Sequence, residues 1–359
     1  MNVVHVIVSS TDLLRELAVL ARLVQKKPTL PILSNVLLQA ADGWLHMSVT
    51  DLEVGMVTAC QATVGEAGDL TLPVAKLAEL AKTLPNTDIT ISSVKGVVKF
   101  TAAGFNSRLQ SLPAADFPAI PVPEGTSVIL PRGPFRDLIK KVRFAINEGD
   151  SRHLVRGALL TLPENAFGLV ATDSHRLALA PAVRVGAVGD PALLPAKALD
   201  HLTILLSDSG EGDLTFSRTD RHLFFELDGR VLVSRRIEGK FPSYERIIPT
   251  SNDHVVLLDR SAFATMVKRQ LLIADIVTLT IDAGAVDITT SSAEVGDAIE
   301  RLPVTYEGPK LEIKLNGGYV VEFLEAATGQ QVQMALKDAK SPALFTDDQY
   351  INVMMGMRT

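Results

Sequence analysis

From residue 10 to residue 27 the chain sets Leu13, Leu17, Leu20 and Val24 near one azimuth at about 100° per residue. Ser10, Thr11 and Asp12 stand at its start as cap candidates, so the pattern predicts a helix with one core-facing stripe. The next tract, VLLQAADGWLHMSVTDLEVGMVTACQATV, alternates apolar and polar residues around Asp42-Gly43, the signature of a hairpin. LPVAKLAELAKTLPNT, residues 72–87, predicts a shorter amphipathic helix closed by proline and asparagine. Residues 88–112 then read as three strands. The same order returns twice. A helix over 131–147 precedes strands around GALLTL and FGLVATDSHRLALA, a helix over 195–207, and strands from DLTFSRTD to VLVSRRI. A helix over 259–274 precedes strands from Val277 to Val304, a helix over 316–328, and strands to the carboxyl end.

Specific residues repeat along with the pattern. Leu72-Pro73-Val74-Ala75-Lys76-Leu77 returns as Leu194-Pro195-Ala196-Lys197-Ala198-Leu199, and Val49-Thr50-Asp51-Leu52 as Ala171-Thr172-Asp173-Ser174, both at an offset of 122. Ser107-Arg108, Phe117-Pro118 and Ile120-Pro121 are answered by Ser234-Arg235, Phe241-Pro242 and Ile248-Pro249. Two motifs that keep one spacing imply a duplicated unit, and about 110 residues remain after Pro249 for a third copy. A period of this size means whole duplicated domains rather than a solenoid. The proline-rich stretches 118–125 and 249–253 serve as linkers, which puts the domains at 1–123, 124–250 and 251–359. Helices combined with antiparallel sheets make the expected class α+β.

Composition excludes whole classes of function. With 47% apolar and 21% charged residues the chain can bury cores and is not disordered. A single cysteine, Cys60, excludes an intrachain disulfide and reads as a small core residue. The start MNVVHVIVSSTDLLREL has neither the basic lead nor the apolar run of a signal peptide, and no window is long enough to span a bilayer, so a cytoplasmic protein with no membrane partner is expected. The net charge of −6 argues against a surface that coats nucleic acid everywhere. The charge is segregated, however. The six predicted helices carry fifteen Lys or Arg against eight Asp or Glu, a net of +7, which leaves −13 elsewhere. Arg15, Arg22 and Lys26 line one helix opposite its leucine face, and Arg132, Arg136, Lys140 and Arg143 line a second. A charge stripe is most simply a solvated face, but two stripes at equivalent places in two repeats favour a layer that attracts phosphates. No stacking platform or recognition-helix motif accompanies them, so such contact is expected to ignore sequence.

Catalytic signatures are poor. There is no P-loop, dinucleotide fingerprint, CxxC pair or HExxH. Ser174 and His175 are adjacent beside Asp173, and neighbours on a strand point to opposite faces, so they do not make a nucleophile and base. The histidines lack metal-ligand spacing, Asp347-Asp348 reads as a solvated turn, and Trp44 reads as packing. No cofactor, metal or catalytic residue is expected. Two other readings remain: a hydrolase with a polar cleft, and a three-repeat binding module that never closes into a circle.

LVATDSHRLALA, LLPAKALDHL, RRIEGKFPSYERIIP, KKPTLPILSNVLLQAADG and the terminal INVMMGMRT resemble the bacterial DNA polymerase III beta subunit, the sliding clamp family, over the whole chain. The resemblance implies three topologically similar domains of the DNA clamp fold. It also implies a head-to-tail homodimeric ring, with helices inside and sheets outside, around double-stranded DNA. The implied work is non-enzymatic: tethering the replicative DNA polymerase, the clamp loader and other clamp-binding proteins, which dock through short peptide motifs. Carried over residue by residue, the peptide pocket falls on Val155, Thr172, Ser174, His175, Arg176, Leu177, Pro242, Arg246, Ile247, Val353, Met355, Met357 and Arg358. The DNA-facing set is Arg15, Arg22, Lys26, Lys27, Arg132, Arg136, Lys140, Arg143 and Lys197. Flexible, polarizable methionines suit a groove that accepts many peptides, although Met354, Met355 and Met357 capping a core is the plainer reading without the family pattern. The chain departs from the family at Ser174 for glycine, Gly356 for proline and Thr359 for leucine. It departs again in QLLIADIVTLTI, where helix passes almost directly to strand.

Overall fold

A computed structural model describes residues 4–24, 28–94, 97–146, 149, 156–186, 189–207 and 212–357. The first repeat runs β1 (Val4–Ser9), α1 (Ser10–Leu20), β2 (Asn35–Ala41), β3 (Trp44–Thr50), β4 (Val54–Glu66), β5 (Gly68–Pro73), α2 (Val74–Thr83), β6 (Asp88–Val94), β7 (Val97–Ala102) and β8 (Phe105–Gln110). The second runs β9 (Ser127–Pro131), α3 (Arg132–Val142), β10 (Gly157–Thr161), β11 (Ala166–Thr172), β12 (Arg176–Leu179), the short β13 (Val183–Arg184), β14 (Ala192–Pro195), α4 (Ala196–Leu205), β15 (Asp213–Arg218), β16 (His222–Leu227) and β17 (Arg230–Arg235). The third runs β18 (His254–Asp259), α5 (Arg260–Gln270), β19 (Ile276–Asp282), β20 (Ala285–Ser292), β21 (Gly296–Pro303), β22 (Leu311–Asn316), α6 (Gly317–Ala326), β23 (Gln331–Leu336), β24 (Ala343–Asp347) and β25 (Tyr350–Met354). Strand, helix, four strands, helix, three strands recurs three times, with β13 as the only addition.

The described residues form two compact units. One holds Met1–Arg132 and Lys197–Arg236 around a twelve-stranded sheet, β8-β7-β6-β1-β4-β17-β16-β15-β9, with β2, β3 and β5 branching from it. The other holds Gly133–Ala196 and Ile237–Thr359, with a nine-stranded sheet, β14-β10-β11-β12-β25-β24-β23-β18 plus β13, and a four-stranded sheet, β21-β20-β19-β22. The strand pairings are antiparallel. One repeat joins the next by the same seam in both units. Val54 pairs Ser234 where β4 meets β17, and Arg176 pairs Met354 where β12 meets β25.

Helix faces follow the apolar pattern. Leu13, Leu17 and Leu20 of α1, and Phe263 and Val267 of α5, are fully buried. The helices are shorter than the pattern predicted. α1 stops at Leu20 because the backbone tightens to three-residue turns, Arg22 N–H to Val19 O and Leu23 N–H to Leu20 O, ahead of Pro28. α3 stops at Val142 and continues as a 3₁₀ turn over Arg143–Ala145, which puts Arg143 off the α-helix. Over their observed spans the six helices carry eleven Lys or Arg and seven Asp or Glu, a net of +4 rather than +7. The short third-repeat connector is real: residues 271–275 link α5 to β19, against 21–34 and 143–156 in the other repeats.

Every repeat also fastens its helix pair in the same way. The first residue of the first helix donates to a carbonyl at the end of the second: Ser10 Oγ to Pro85 O at 3.0 Å, Arg132 Nη2 to Leu205 O at 3.4 Å, Arg260 Nη1 to Leu324 O at 3.2 Å. Leu205 and Leu324 lie in the last turns of α4 and α6, where carbonyls have no helical N–H ahead of them, so there the contact satisfies groups that the helix leaves open.

Two minor expectations change and a third holds. Asp347 is buried, not solvated: its carboxylate accepts from Thr328 N at 2.6 Å and Gly329 N at 3.2 Å. Trp44 keeps 42% of its surface exposed, so it packs only in part. Cys60 is buried as expected, and burial pushes its thiol up to about 12, out of reactive range.

Candidate functional site

The repeated Thr-Asp motif is a loop built twice, bond for bond. In the first repeat Thr50 Oγ1 donates to Val54 O at 3.1 Å, while Asp51 Oδ1 accepts from Glu53 N at 3.0 Å and Val54 N at 2.9 Å. In the second, Thr172 Oγ1 donates to Arg176 O at 2.7 Å, while Asp173 Oδ1 accepts from His175 N and Arg176 N, both at 2.9 Å. The third loop residue is forced into the left-handed region, φ 76° at Leu52 and 74° at Ser174, and glycine is the residue that tolerates this without strain. Ser174→Gly is therefore expected to stabilise the protein. It relieves about 1–3 kcal/mol of backbone strain but frees the unfolded chain by about 0.4–1 kcal/mol. A thermal melt that rises by a few degrees checks this.

The loop of the second repeat sits over an apolar cluster. Val170, Leu177 and Val353 are its buried floor, with Phe241, Tyr244 and Ile248 packed against it. Leu177 and Val353 face each other across the β12–β25 pair, and Met355 N donates to His175 O at 2.8 Å, so the tail is tied to the loop. Met357 N donates to Lys314 O at 2.8 Å. Ser174, His175, Pro242, Arg246, Ile247, Met355 and Met357 are exposed around this floor. The structure thus brings Leu177 and Val353 into one apolar cluster and ties Met355 to His175 beside it, with Thr172's hydroxyl consumed in closing the loop that carries Ser174, while Pro242, Arg246 and Ile247 are exposed on the segment that supplies Phe241, Tyr244 and Ile248. Val155, Arg358 and Thr359 lie outside the described residues.

Arg176 corrects the expected pocket. Its side chain is buried away from the groove: Nε bonds Asp173 Oδ2 at 3.0 Å, Nη1 pairs with Glu322, and Nη2 donates to the Phe144 carbonyl. Its guanidinium stacks 3.9 Å from the Tyr319 ring centroid and 5.0 Å from that of Phe144. The reason is strand alternation, since Leu177 faces the groove and its neighbour on β12 must face the other way. Arg176 holds the groove's edge strand to α6 and contributes no surface.

The basic stripe is also thinner than expected. Arg132 is buried and pairs with Asp228 at 2.9 Å, as its place in the helix fastening requires. Lys197 bridges Asp51 at 2.5 Å and Glu53 at 2.7 Å. Burial works against its charge, and those two carboxylates more than compensate, so its ammonium is held above the ordinary lysine value. Arg15 is exposed yet paired with Asp12 and Glu16, both at 2.8 Å. Arg22 and Lys140 are exposed, Arg136 and Arg143 half-exposed, and Arg136 and Lys140 share Asp137 at 3.4 and 3.8 Å. Lys26 and Lys27 lie outside the described residues.

Sequence reading missed the most buried acid among the described residues. Glu16 sits on the leucine face of α1, 4% exposed, and receives Arg230 Nε at 2.8 Å, Arg230 Nη2 at 3.2 Å, Thr58 Oγ1 at 2.7 Å and Arg15 Nε at 2.8 Å. A lone acid among Leu13, Leu17 and Leu20 was the signal, because an acid on a core face needs a partner.

Comparison with known proteins agrees along the whole length. Models of the DNA polymerase III beta subunit match over residues 4–121 for its N-terminal domain, 129–243 for its central domain and 245–358 for its C-terminal domain. The beta sliding clamp of Pseudomonas putida is 33% identical over 368 residues, 99% of this chain and 100% of that protein. That of Caulobacter vibrioides is 33% identical over 354 residues, 93% of this chain and 94% of that protein. The crystal structure of the DNA polymerase III subunit beta from Pseudomonas aeruginosa superposes with a TM-score of 0.94 at 29% identity, covering 99% of this chain and 100% of that one. With three repeats of one topology, two identical seams and matches to all three domain models, the chain belongs to the DNA polymerase III beta subunit family.

Proposed function

We propose that two copies of this chain close head to tail into a ring around duplex DNA and hold the replicative polymerase there as a sliding clamp. One observation carries the reading: the seam between repeats occurs twice within the chain and has unused halves at both ends. β4 pairs with β17 and β12 with β25, whereas β21, their third-repeat counterpart, and β8, the counterpart of β17, are edge strands. Unpaired edges invite pairing with another chain. Leu272, Ile299 and Val295 near β21 are 80%, 69% and 61% exposed, and Phe105 and Val97 near β8 are both 40% exposed, so the two edges offer apolar surface as well as backbone. A third seam made between chains is a heterologous contact, and it closes after two copies if each of six domains turns the chain by about 60°. In this reading the domains are 1–123, 124–250 and 251–359. The work is topological, with no bond made or broken.

Inside such a ring the positive charge of Arg22, Arg136, Lys140 and Arg143 meets phosphates without reading bases. Replacing Arg136, Lys140 and Arg143 together with alanine is expected to leave folding intact, since ion pairs of exposed and half-exposed side chains contribute little stability. The same change is expected to flatten the salt dependence of DNA binding by up to about 0.9 in log–log slope per lost phosphate contact. An unchanged slope places the stripe elsewhere.

The groove under Ser174 and His175 takes short peptide motifs of the polymerase, the clamp loader and other partners, and the exposed methionines adapt to each. Tethering by such a peptide raises the partner's local concentration at DNA without any new DNA contact. The backbone on both sides of Gly356 is pinned, through Met355 N–H and Met357 N–H, and a Cβ at 356 meets nothing closer than 3.8 Å. Gly356→Pro is expected to tighten a fluorescent polymerase-derived peptide a few-fold in anisotropy titrations. It removes about 0.4–1 kcal/mol of ordering cost. A variant that folds normally and binds no tighter moves attention to Ser174 or the short 271–275 connector.

A further inference from the structure

The first seam carries its own groove, lined in part by Thr50, Leu52, Pro118 and Val233 and enclosing about 270 Å³. Each of these occupies the repeat position of a residue in the groove under Ser174: Thr50 stands for Thr172, Leu52 for Ser174, Pro118 for Pro242, Val233 for Val353. The loop above it is the one that repeats bond for bond, and the strand pair beneath it is β4 with β17 in place of β12 with β25.

Two differences give this groove a chemistry of its own. Gly55 replaces Leu177 in the floor, and Ile120 fills that space instead: a Cβ at 55 would stand 3.3 Å from Ile120 Cδ1. The floor is therefore apolar but shaped by a linker side chain. Exposed Leu52 extends the apolar surface at the rim, and a volume of this size, just below the roughly 300–1,000 Å³ of ligand pockets, holds a pair of side chains rather than a cofactor. The charge at the mouth is positive. Arg221 and Arg235 are exposed on either side of His222, joined through Arg236 N–H to Arg221 O at 2.9 Å and Arg235 N–H to Glu53 O at 2.8 Å. Burial first, and then the two arginines, hold the His222 imidazole below its ordinary value, so the mouth is already cationic without it. Glu53, the acid among the groove's described lining residues, is paired with Lys197 at 2.7 Å.

We infer that this first-seam groove is a second peptide-docking site, taking a short extended segment in which apolar residues are flanked by aspartate or glutamate. Two apolar side chains cover Leu52, Ile120 and Val233, and the flanking acids meet Arg221 and Arg235. In a ring this doubles the number of docking places and separates partners by the charge of their motifs, with acidic motifs held at the first seam and methionine-adapted motifs at the second. Charge at a groove rim selects partners and sets association more than it sets raw affinity.

The test uses the full-length protein and a fluorescein-labelled Asp-Leu-Ile-Asp peptide, with anisotropy as readout. Saturable binding to the wild type is expected, weakened about tenfold by Arg235→Glu and by Leu52→Asp, and unchanged by Met355→Glu in the other groove. Because the variants alter exposed side chains, folding is checked by circular dichroism. A second arm guards against a structural artefact: a Lys-Leu-Ile-Lys peptide binds poorly to the wild type and recovers on Arg235→Glu. Absence of saturable binding overturns the inference, and so does binding that Met355→Glu abolishes and Arg235→Glu spares. Ring retention on DNA and binding of the polymerase-derived peptide are unaffected by either outcome, so failure here is distinct from failure of the clamp reading.

Discussion

Replacing Glu16 with alanine is expected to cost about 3–5 kcal/mol, because removing one member of a buried ion pair takes compensation from the other charge in the core. Arg230 is 7% exposed and directs two nitrogens at Glu16, and Thr58 gives its hydroxyl proton to the same carboxylate. With Glu16 gone the Arg230 guanidinium keeps its charge and loses the two bonds it makes to that carboxylate. The double change Glu16→Leu with Arg230→Leu is expected to recover most of the loss, since apolar residues of similar volume often replace a buried pair at little cost. Denaturant unfolding of the four proteins in this cycle gives the coupling directly. The same pair sets a pH dependence. Burial pushes the Glu16 carboxyl up, but hydrogen bonds from Arg230, Arg15 and Thr58 outweigh it and hold the folded value below 4.5. A carboxyl whose folded value is depressed adds stability that is complete above its unfolded value and is lost as pH falls through the folded one. The Glu16→Gln protein should therefore show a flatter acid limb below about pH 4.5, and equal acid limbs would mean that Glu16 is not held ionised.

Leu272→Asp with Ile299→Asp is expected to abolish the dimer at micromolar concentration and leave each chain folded. Both side chains are exposed in the single chain, so the change costs little there. In a ring they would be covered, and each buried aliphatic side chain is worth roughly 1.5–3 kcal/mol before the cost of burying a carboxylate is added. Since a two-chain ring contains the inter-chain seam twice, association weakens by on the order of a thousandfold or more. Native mass spectrometry reads this as a shift from two chains to one. A variant that stays dimeric places the interface elsewhere.

The threefold plan was legible in the sequence because the offset of 122 between the Thr-Asp loops and between the Leu-Pro helix starts survives divergence of the residues around them. The groove was legible only through family likeness, since its floor comes from strands distant in sequence and its methionines read equally well as core. Charge was the least legible property. Arg132, Arg176 and Lys197 all look like surface basic residues, yet each pairs with an acid 96, 146 or 144 residues away along the chain, respectively. Local periodicity reports which side of an element a residue occupies, and it says nothing about an acid delivered from a distant stretch of the chain. Arg132 was nevertheless recoverable: Leu130-Pro131-Arg132 and Leu258-Asp259-Arg260 place arginine at one repeat position, and both arginines fasten a neighbouring helix end.

The central claim is closure around DNA, and topology tests it most directly. The protein is loaded onto a nicked circular plasmid by its clamp loader, washed at a salt concentration that removes simple electrostatic binders, and then challenged with a restriction enzyme that cuts the plasmid once. A ring stays on the circle through the wash and slides off when the DNA is linearised, and the Leu272→Asp, Ile299→Asp protein is not retained at all. Retention that survives linearisation, or loss from circle and line alike at the same salt, contradicts the ring.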